Sequence, residues 1–188
     1  MLKNKEIIEI IPSNLQTKEW RQKCEWYYNG KSNECEKYQI DLIEKIIKQK
    51  LHKTHDRINM ETNEIIENKH PMKKENGYEW TENFDGKITI NKNIFYFNLK
   101  FVCDSGGSQT RTLREVYHFI KHQMKYLIKN QSNVYFINIL DGDTSYNNMD
   151  KFKYLYKNND NKYIFIGSLY EFQQNLSIIF NQNFLIDI

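Results

Sequence analysis

The chain has 188 residues, with 27 Lys or Arg against 24 Asp or Glu and a net charge of +3 at neutral pH, which is too mild for recognition of a polyanion by bulk attraction alone. That length suits one core burying roughly two thirds of its unfolded surface, so we read a single domain over residues 1–188. The three cysteines, Cys24, Cys35 and Cys103, have no CxxC spacing, which argues against a disulfide framework or zinc cluster, and no run of about 18 apolar residues is present to span a membrane.

Acids interrupt the apolar start of "MLKNKEIIEIIPSN", so no secretory signal is expected and the protein is placed in the cytoplasm. Residues 1–76 read as mainly helical. Trp20, Cys24, Tyr27 and Tyr28 recur at helical spacing from Leu15 to Asn29, and "NGKSN" ends that segment. Tyr38, Leu42, Ile46 and Ile47 form one stripe from Glu34 to about His55, with Ser32 or Asn33 as the cap. Residues 58–76 are polar with short apolar islands and read as a loop holding at most a turn of helix.

After Gly77 the period changes from helix to strand. "KITI", a three-residue turn "NKN" and the alternating "IFYFNLKFVC" predict an antiparallel hairpin, with Phe95, Phe97, Leu99 and Phe101 on one face and Tyr96, Asn98 and Lys100 on the other. "DSGGSQTR" is a loop, and Thr110 is a plausible cap for a helix of about 20 residues whose buried stripe runs through Leu113, Val116, Tyr117, Ile120, Met124, Leu127 and Ile128. "VYFINIL" predicts a buried parallel strand, followed by a helix over Met149 to Tyr156, a strand in "KYIFIGS" and a helix from Leu169 to Phe180. The expected fold is α/β, a mixed sheet of antiparallel hairpin plus parallel strands flanked by helices. Residues 77–140 form its core and 141–188 complete it.

Metal-assisted hydrolysis of a phosphodiester needs carboxylates that fix a cation and a positive group beside the attacking water. The hairpin offers Asp85 before its first strand and Lys100 on its second, while position 98, two residues before the lysine on the same face, is Asn. Asp85, "NLK" and the following helix and strand resemble the signature of the PD-(D/E)XK nucleases, specifically type II restriction endonucleases, over about residues 77–140. Phe84 stands where that signature usually has Pro, and Asn98 where it has an acid. In similar endonucleases that acid is replaced by a Glu from the next helix, and here Glu115 follows Lys100 after 14 residues. The resemblance implies Asp85 and Glu115 as metal ligands, Lys100 orienting or activating water, Asn98 touching the ion through its carbonyl oxygen, and Glu82 as an auxiliary ligand. Glu36 is a weaker auxiliary candidate.

Each of these residues has a plainer reading alone: Asp-Gly as a turn, Lys100 as a solvated strand residue, and Glu115 paired with Arg111 on one helix face. Asp141 and Asp143 in "LDGD" read as a turn. His118 and His122 lack the glutamate of a zinc motif, and no nucleotide-binding loop is present. Ser105, Gly106, Gly107, Ser108 and Thr110 open the helix, where backbone amides and the helix N-terminus favour a phosphate, and Gln109, Arg111 and Arg114 suit base edges. Lys121 and Lys125 add attraction to phosphates; from Arg111 to Lys129 five cations face one acid, Glu115. The expectation is a Mg2+-dependent type II restriction endonuclease acting on double-stranded DNA as a homodimer, with no membrane partner and no nucleotide cofactor. A repair or junction nuclease of the same fold, or a DNA-binding module with a degenerate site, are the alternatives.

Overall fold

Alternation in "IFYFNLKF" sorts its side chains onto two faces, and both faces of this strand are covered. The computed structural model describes residues 8–67, 69–130, 133–155 and 162–180. Strands β1 (Arg57–Ile58) and β2 (Ile65–Ile66) make a small antiparallel ribbon. The main sheet contains β3 (Gly86–Ile90), β4 (Asn93–Phe101), β5 (Val134–Asp141) and β6 (Ile164–Gly167), in the order β3-β4-β5-β6. β3 and β4 pair antiparallel, and β4, β5 and β6 run parallel, so the mixed sheet expected from the sequence is present.

The helices are α1 (Lys18–Lys23), α2 (Ser32–Ile47), α3 (Gly107–Lys129), α4 (Asp143–Asn147), α5 (Met149–Lys153), α6 (Leu169–Gln174) and α7 (Leu176–Ile179). Tyr96, Phe136 and Leu140 on one face of the sheet pack against Leu113, Val116, Ile120 and Met124 of α3. Phe95, Phe97, Leu99, Ile137 and Ile139 on the other face pack against Leu42, Ile43 and Ile47 of α2 and Leu169 and Phe172 of α6. Phe84 joins the α3 side, its ring 4.6 Å from Tyr96, 4.9 Å from Phe119 and 5.5 Å from Phe136. Burying each such side chain contributes on the order of 2–3 kcal/mol. Among the described residues no helix is long and apolar enough to cross a membrane.

Several elements differ from the periodic reading. The helix expected over Leu15–Asn29 is only α1, between two 3-10 turns at Ser13–Leu15 and Glu25–Tyr27. Thr17 caps α1 by accepting the Trp20 N–H, and the backbone turns extended at Cys24 so that Trp26 stacks on Tyr38 at 4.3 Å. Tertiary ring packing there overrides local spacing. α2 ends at Ile47 instead of His55, because Lys48 adopts left-handed backbone and Glu44 accepts from the Leu51 N–H, turning the chain so that His52 bridges to Lys87 on the edge of β3. Its N-cap is Lys31, whose N–H donates to Glu34, and not Ser32 or Asn33. The hairpin turn is Asn91-Lys92, both at positive φ, with Asn93 already paired to Ile90, so the turn has two residues and not three. α3 starts at Gly107, earlier than a cap at Thr110 implies. The helices expected over 149–156 and 169–180 are each shorter, Asn175 dividing the second into α6 and α7. Met1–Ile7, part of the segment from which no secretory signal is expected, and Tyr156 lie outside the described residues.

Gly142 closes the carboxyl end of β5. Its φ is +91°, and a β-carbon there would lie 2.2 Å from the Val102 carbonyl oxygen. Backbone, not a flexible side chain, fills that space. Gly142→Ala is therefore expected to lower the unfolding free energy by about 2 kcal/mol or more, by overpacking and by left-handed strain, measured by urea titration.

Candidate active site

β4 carries Lys100 as its penultimate residue, because the strand alternates and only its last polar position emerges from under α3. Around that position lies a cleft of about 460 Å³. Its walls come from the end of β4, the first turns of α2 with Glu36 and Gln39, the first turns of α3 with Ser108, Gln109, Thr112 and Glu115, and Glu82 from the loop ahead of β3. The cleft thus sits off the carboxyl end of a parallel strand, where open α/β sheets commonly bind ligands.

Lys100 donates to Glu82 Oε2 at 2.8 Å. Burial presses its ammonium toward losing a proton, but the negative charges of Asp85, Glu82 and Glu36 outweigh burial and hold its pKa above the ordinary lysine range. It is a firm cation. Asp85 lies behind this pair and does not itself line the cleft. Its backbone N–H donates to the Phe97 carbonyl, and its carboxylate accepts the Leu99 N–H at 2.6 Å, so it extends the hairpin by one rung. Burial pushes its pKa up to about 6, against the Lys100 charge and the Leu99 hydrogen bond.

Glu115 lies more than two turns into α3. It is exposed on the opposite wall of the cleft. The fold therefore brings Lys100, Glu82, Glu36 and Glu115 to one cleft, with Asp85 beneath.

Asn98 is elsewhere. It is 1 % exposed, does not line the cleft, and donates from its amide to Asn138 Oδ1 at 2.9 Å. Asn138 in turn exchanges two hydrogen bonds with Gln123 of α3, at 2.7 and 3.0 Å. These three amides bolt α3 onto β4 and β5 at the middle of the sheet. Asn98 is thus a packing residue by placement.

The residues expected to face DNA divide among three surfaces. Ser108 and Gln109 line the cleft. Thr110 and Arg114 line a separate groove of about 620 Å³ between α3 and α5, together with Tyr117 and Phe152. Ser105, Gly106, Gly107, Arg111 and Lys121 are exposed to solvent. Asp104 pairs with Lys18 at 2.9 Å, tying the loop before α3 to α1.

Asp141 was read as a turn acid, and here the structure corrects the sequence. It ends β5, is 0 % exposed, and accepts from Ser13 Oγ at 3.2 Å, Gln39 Nε2 at 2.8 Å and the Leu169 N–H at 3.1 Å. Burial pushes its pKa up to about 6 despite those donors. Gln39 was missed too. The available signal is a polar residue set among Cys35, Leu42, Ile43 and Ile46 at helical spacing.

The donors around the cleft are hard. Cys35 and Cys103 also line it, but burial raises both thiols, Cys103 to about 12, so they remain protonated and offer no thiolate. Carboxylate oxygens alone suit Mg2+, which is commonly held by one or two carboxylates with water and phosphate completing its shell. Among the described residues no three His, Cys, Asp or Glu side chains are gathered closely enough to enclose an ion. Comparison of the chain with family models, curated proteins and solved structures returns no match.

Proposed function

We propose that the chain is a Mg2+-dependent endodeoxyribonuclease of the type II restriction class, with a restriction-endonuclease-like arrangement of its mixed sheet. The observation that carries this reading is the cleft in which Lys100, Glu82, Glu36 and Glu115 converge at the end of β4 above Asp85. One or two of the carboxylates Asp85, Glu82 and Glu115, which are not gathered into a three-ligand cluster, would hold Mg2+, with water and phosphate completing its shell. When bound, the ion supplies charge to the phosphate oxygens and lowers the pKa of bound water.

The chain's own groups divide the remaining work. Lys100 keeps its proton, so it attracts and orients a phosphate oxygen or water instead of serving as a base. Glu82 holds the Lys100 ammonium at the mouth of the cleft until an anion competes for it. Ser108, Gln109 and the opening turn of α3 form the facing wall, where backbone N–H groups and the helix dipole favour negative charge. Arg111 and Lys121 add attraction to flanking phosphates. Cutting both strands of a symmetric site calls for two such clefts, hence a homodimer.

Incubating the protein with a long sequenced duplex and Mg2+ is expected to give discrete ends. Asp85→Asn, Lys100→Ala and Glu115→Gln are each expected to reduce cleavage by about 100-fold or more. Undiminished cleavage by all three variants would remove this active site. Ends found only at branches or lesions would point instead to a repair or junction nuclease.

The pH profile tests Asp85 separately. Its folded pKa is raised to about 6, so it gains a proton, and loses the charge a cation needs, as pH falls through that value. Cleavage measured at saturating DNA is expected to decline below about pH 6.

Asn98→Asp distinguishes a packing role from a lost ligand. The substitution places a carboxylate against Asn138 Oδ1 and removes a donor, so it is expected to destabilise the protein by about 1–3 kcal/mol in urea titration without increasing cleavage. A gain in cleavage at undiminished stability would instead mark position 98 as a vacated ligand site.

A further inference from the structure

Gln39 lies one turn beyond Glu36 on α2 and is 0 % exposed. Its amide nitrogen donates to the Lys100 carbonyl at 3.1 Å and to Asp141 Oδ2 at 2.8 Å. Both partners are acceptors, so only the NH2 end of the amide can face them, and the orientation of the side chain is settled. Asp141 enforces it, since swinging Gln39 away would take a donor from a buried carboxylate.

The other end of the amide is unmet. Gln39 Oε1 is buried without a hydrogen-bond partner, although Gln39 lines the cleft. Leaving such an acceptor unsatisfied costs about 1–3 kcal/mol. Among the described residues five buried side-chain atoms share this condition, and only Gln39 Oε1 and Arg21 Nε belong to the cleft wall. Arg21 is partly exposed, so solvent reaches it by a small shift. Gln39 has no such exit, and its oxygen calls for a donor from within the cleft.

None of the cleft's own donors, its hydroxyls, amides, thiols and Arg21 included, hydrogen-bonds this oxygen, and Lys100 is already paired with Glu82. A water molecule is the smallest donor, and admitting one takes a small shift of the cleft wall, because this oxygen is closed to solvent as it stands. We propose that Gln39 Oε1 holds and orients the water that attacks the phosphodiester. This assignment rests on the hydrolytic reading of the cleft.

In the reaction the water oxygen forms a bond to phosphorus and the bond from phosphorus to the departing deoxyribose oxygen breaks. One water proton passes to solvent and the departing oxygen takes one up, leaving a phosphomonoester end and a hydroxyl end. Gln39 gains and loses no proton. Its contribution is geometric, because an acceptor fixed by Asp141 and the Lys100 carbonyl points the water's lone pair away from α2 and toward the cleft.

Gln39→Lys separates this role from a structural one, since an ammonium still donates to Asp141 and to the Lys100 carbonyl but accepts nothing. With the full-length protein, Mg2+ and a long duplex, Gln39→Lys is expected to lower kcat by about 100-fold with KM nearly unchanged. A wild-type kcat for Gln39→Lys overturns the assignment while the nuclease reading stands. If the wild-type protein cleaves no DNA, the nuclease reading falls and the assignment falls with it. A high-resolution crystal structure of the wild-type protein decides the point without any variant. A water within hydrogen-bonding distance of Gln39 Oε1 supports the assignment, and an oxygen packed dry against protein overturns it.

Discussion

The ladder between β4 and β5 is the constraint on which the rest depends. Every residue from Ile94 to Phe101 has a partner from Val134 to Asp141, and the strands are covered on both faces. A strand buried on both sides has no freedom of register, because a slip by one residue would exchange its two apolar sets and carry Lys100 under a helix. Register therefore fixes where the lysine emerges. It also fixes Asn98 opposite Asn138, so one set of pairings determines both the reach of the cleft and the point at which α3 is fastened.

The carboxyl ends of these strands carry the expensive groups. Asp85 and Asp141 both have pKa values raised by burial, and each is held by backbone N–H donors from a neighbouring segment. Asp141 gathers Ser13, Gln39 and Leu169, so the N-terminal turn, α2 and the start of α6 meet at one carboxylate. Gln39 then reaches the Lys100 carbonyl. Orientation on the cleft floor is consequently set by contacts that lie outside the hairpin on which the resemblance to nucleases rests.

Legibility in the sequence followed the range of the forces involved. The alternation of β4 and the stripe of α3 were readable because one period governs eight or more residues and burial enforces it. That Lys100, Glu82 and Glu115 line one cleft was expected only through the resemblance to nucleases, since no period links them. The N-terminal third was not, since Trp26 on Tyr38 and Glu44 on Leu51 are decided by tertiary packing and a single side chain. Asp141 was misread because an Asp-Gly pair carries the same local signal whether the acid faces solvent or three distant donors. Asn98 looked like a damaged motif because its partners, Asn138 and Gln123, are 40 and 25 residues away in the chain.

The trio of amides beneath α3 has a consequence for how the protein matures. A carboxylate at the centre of the sheet would have to shed its hydration each time the chain folded, at several kcal/mol for an isolated ion, and would tie assembly of the core to whatever cation were at hand. Asn98, Asn138 and Gln123 carry no charge and satisfy one another from within the chain. Assembly of the centre is thereby independent of ionic supply. The centre of the sheet is held by the chain's own groups alone.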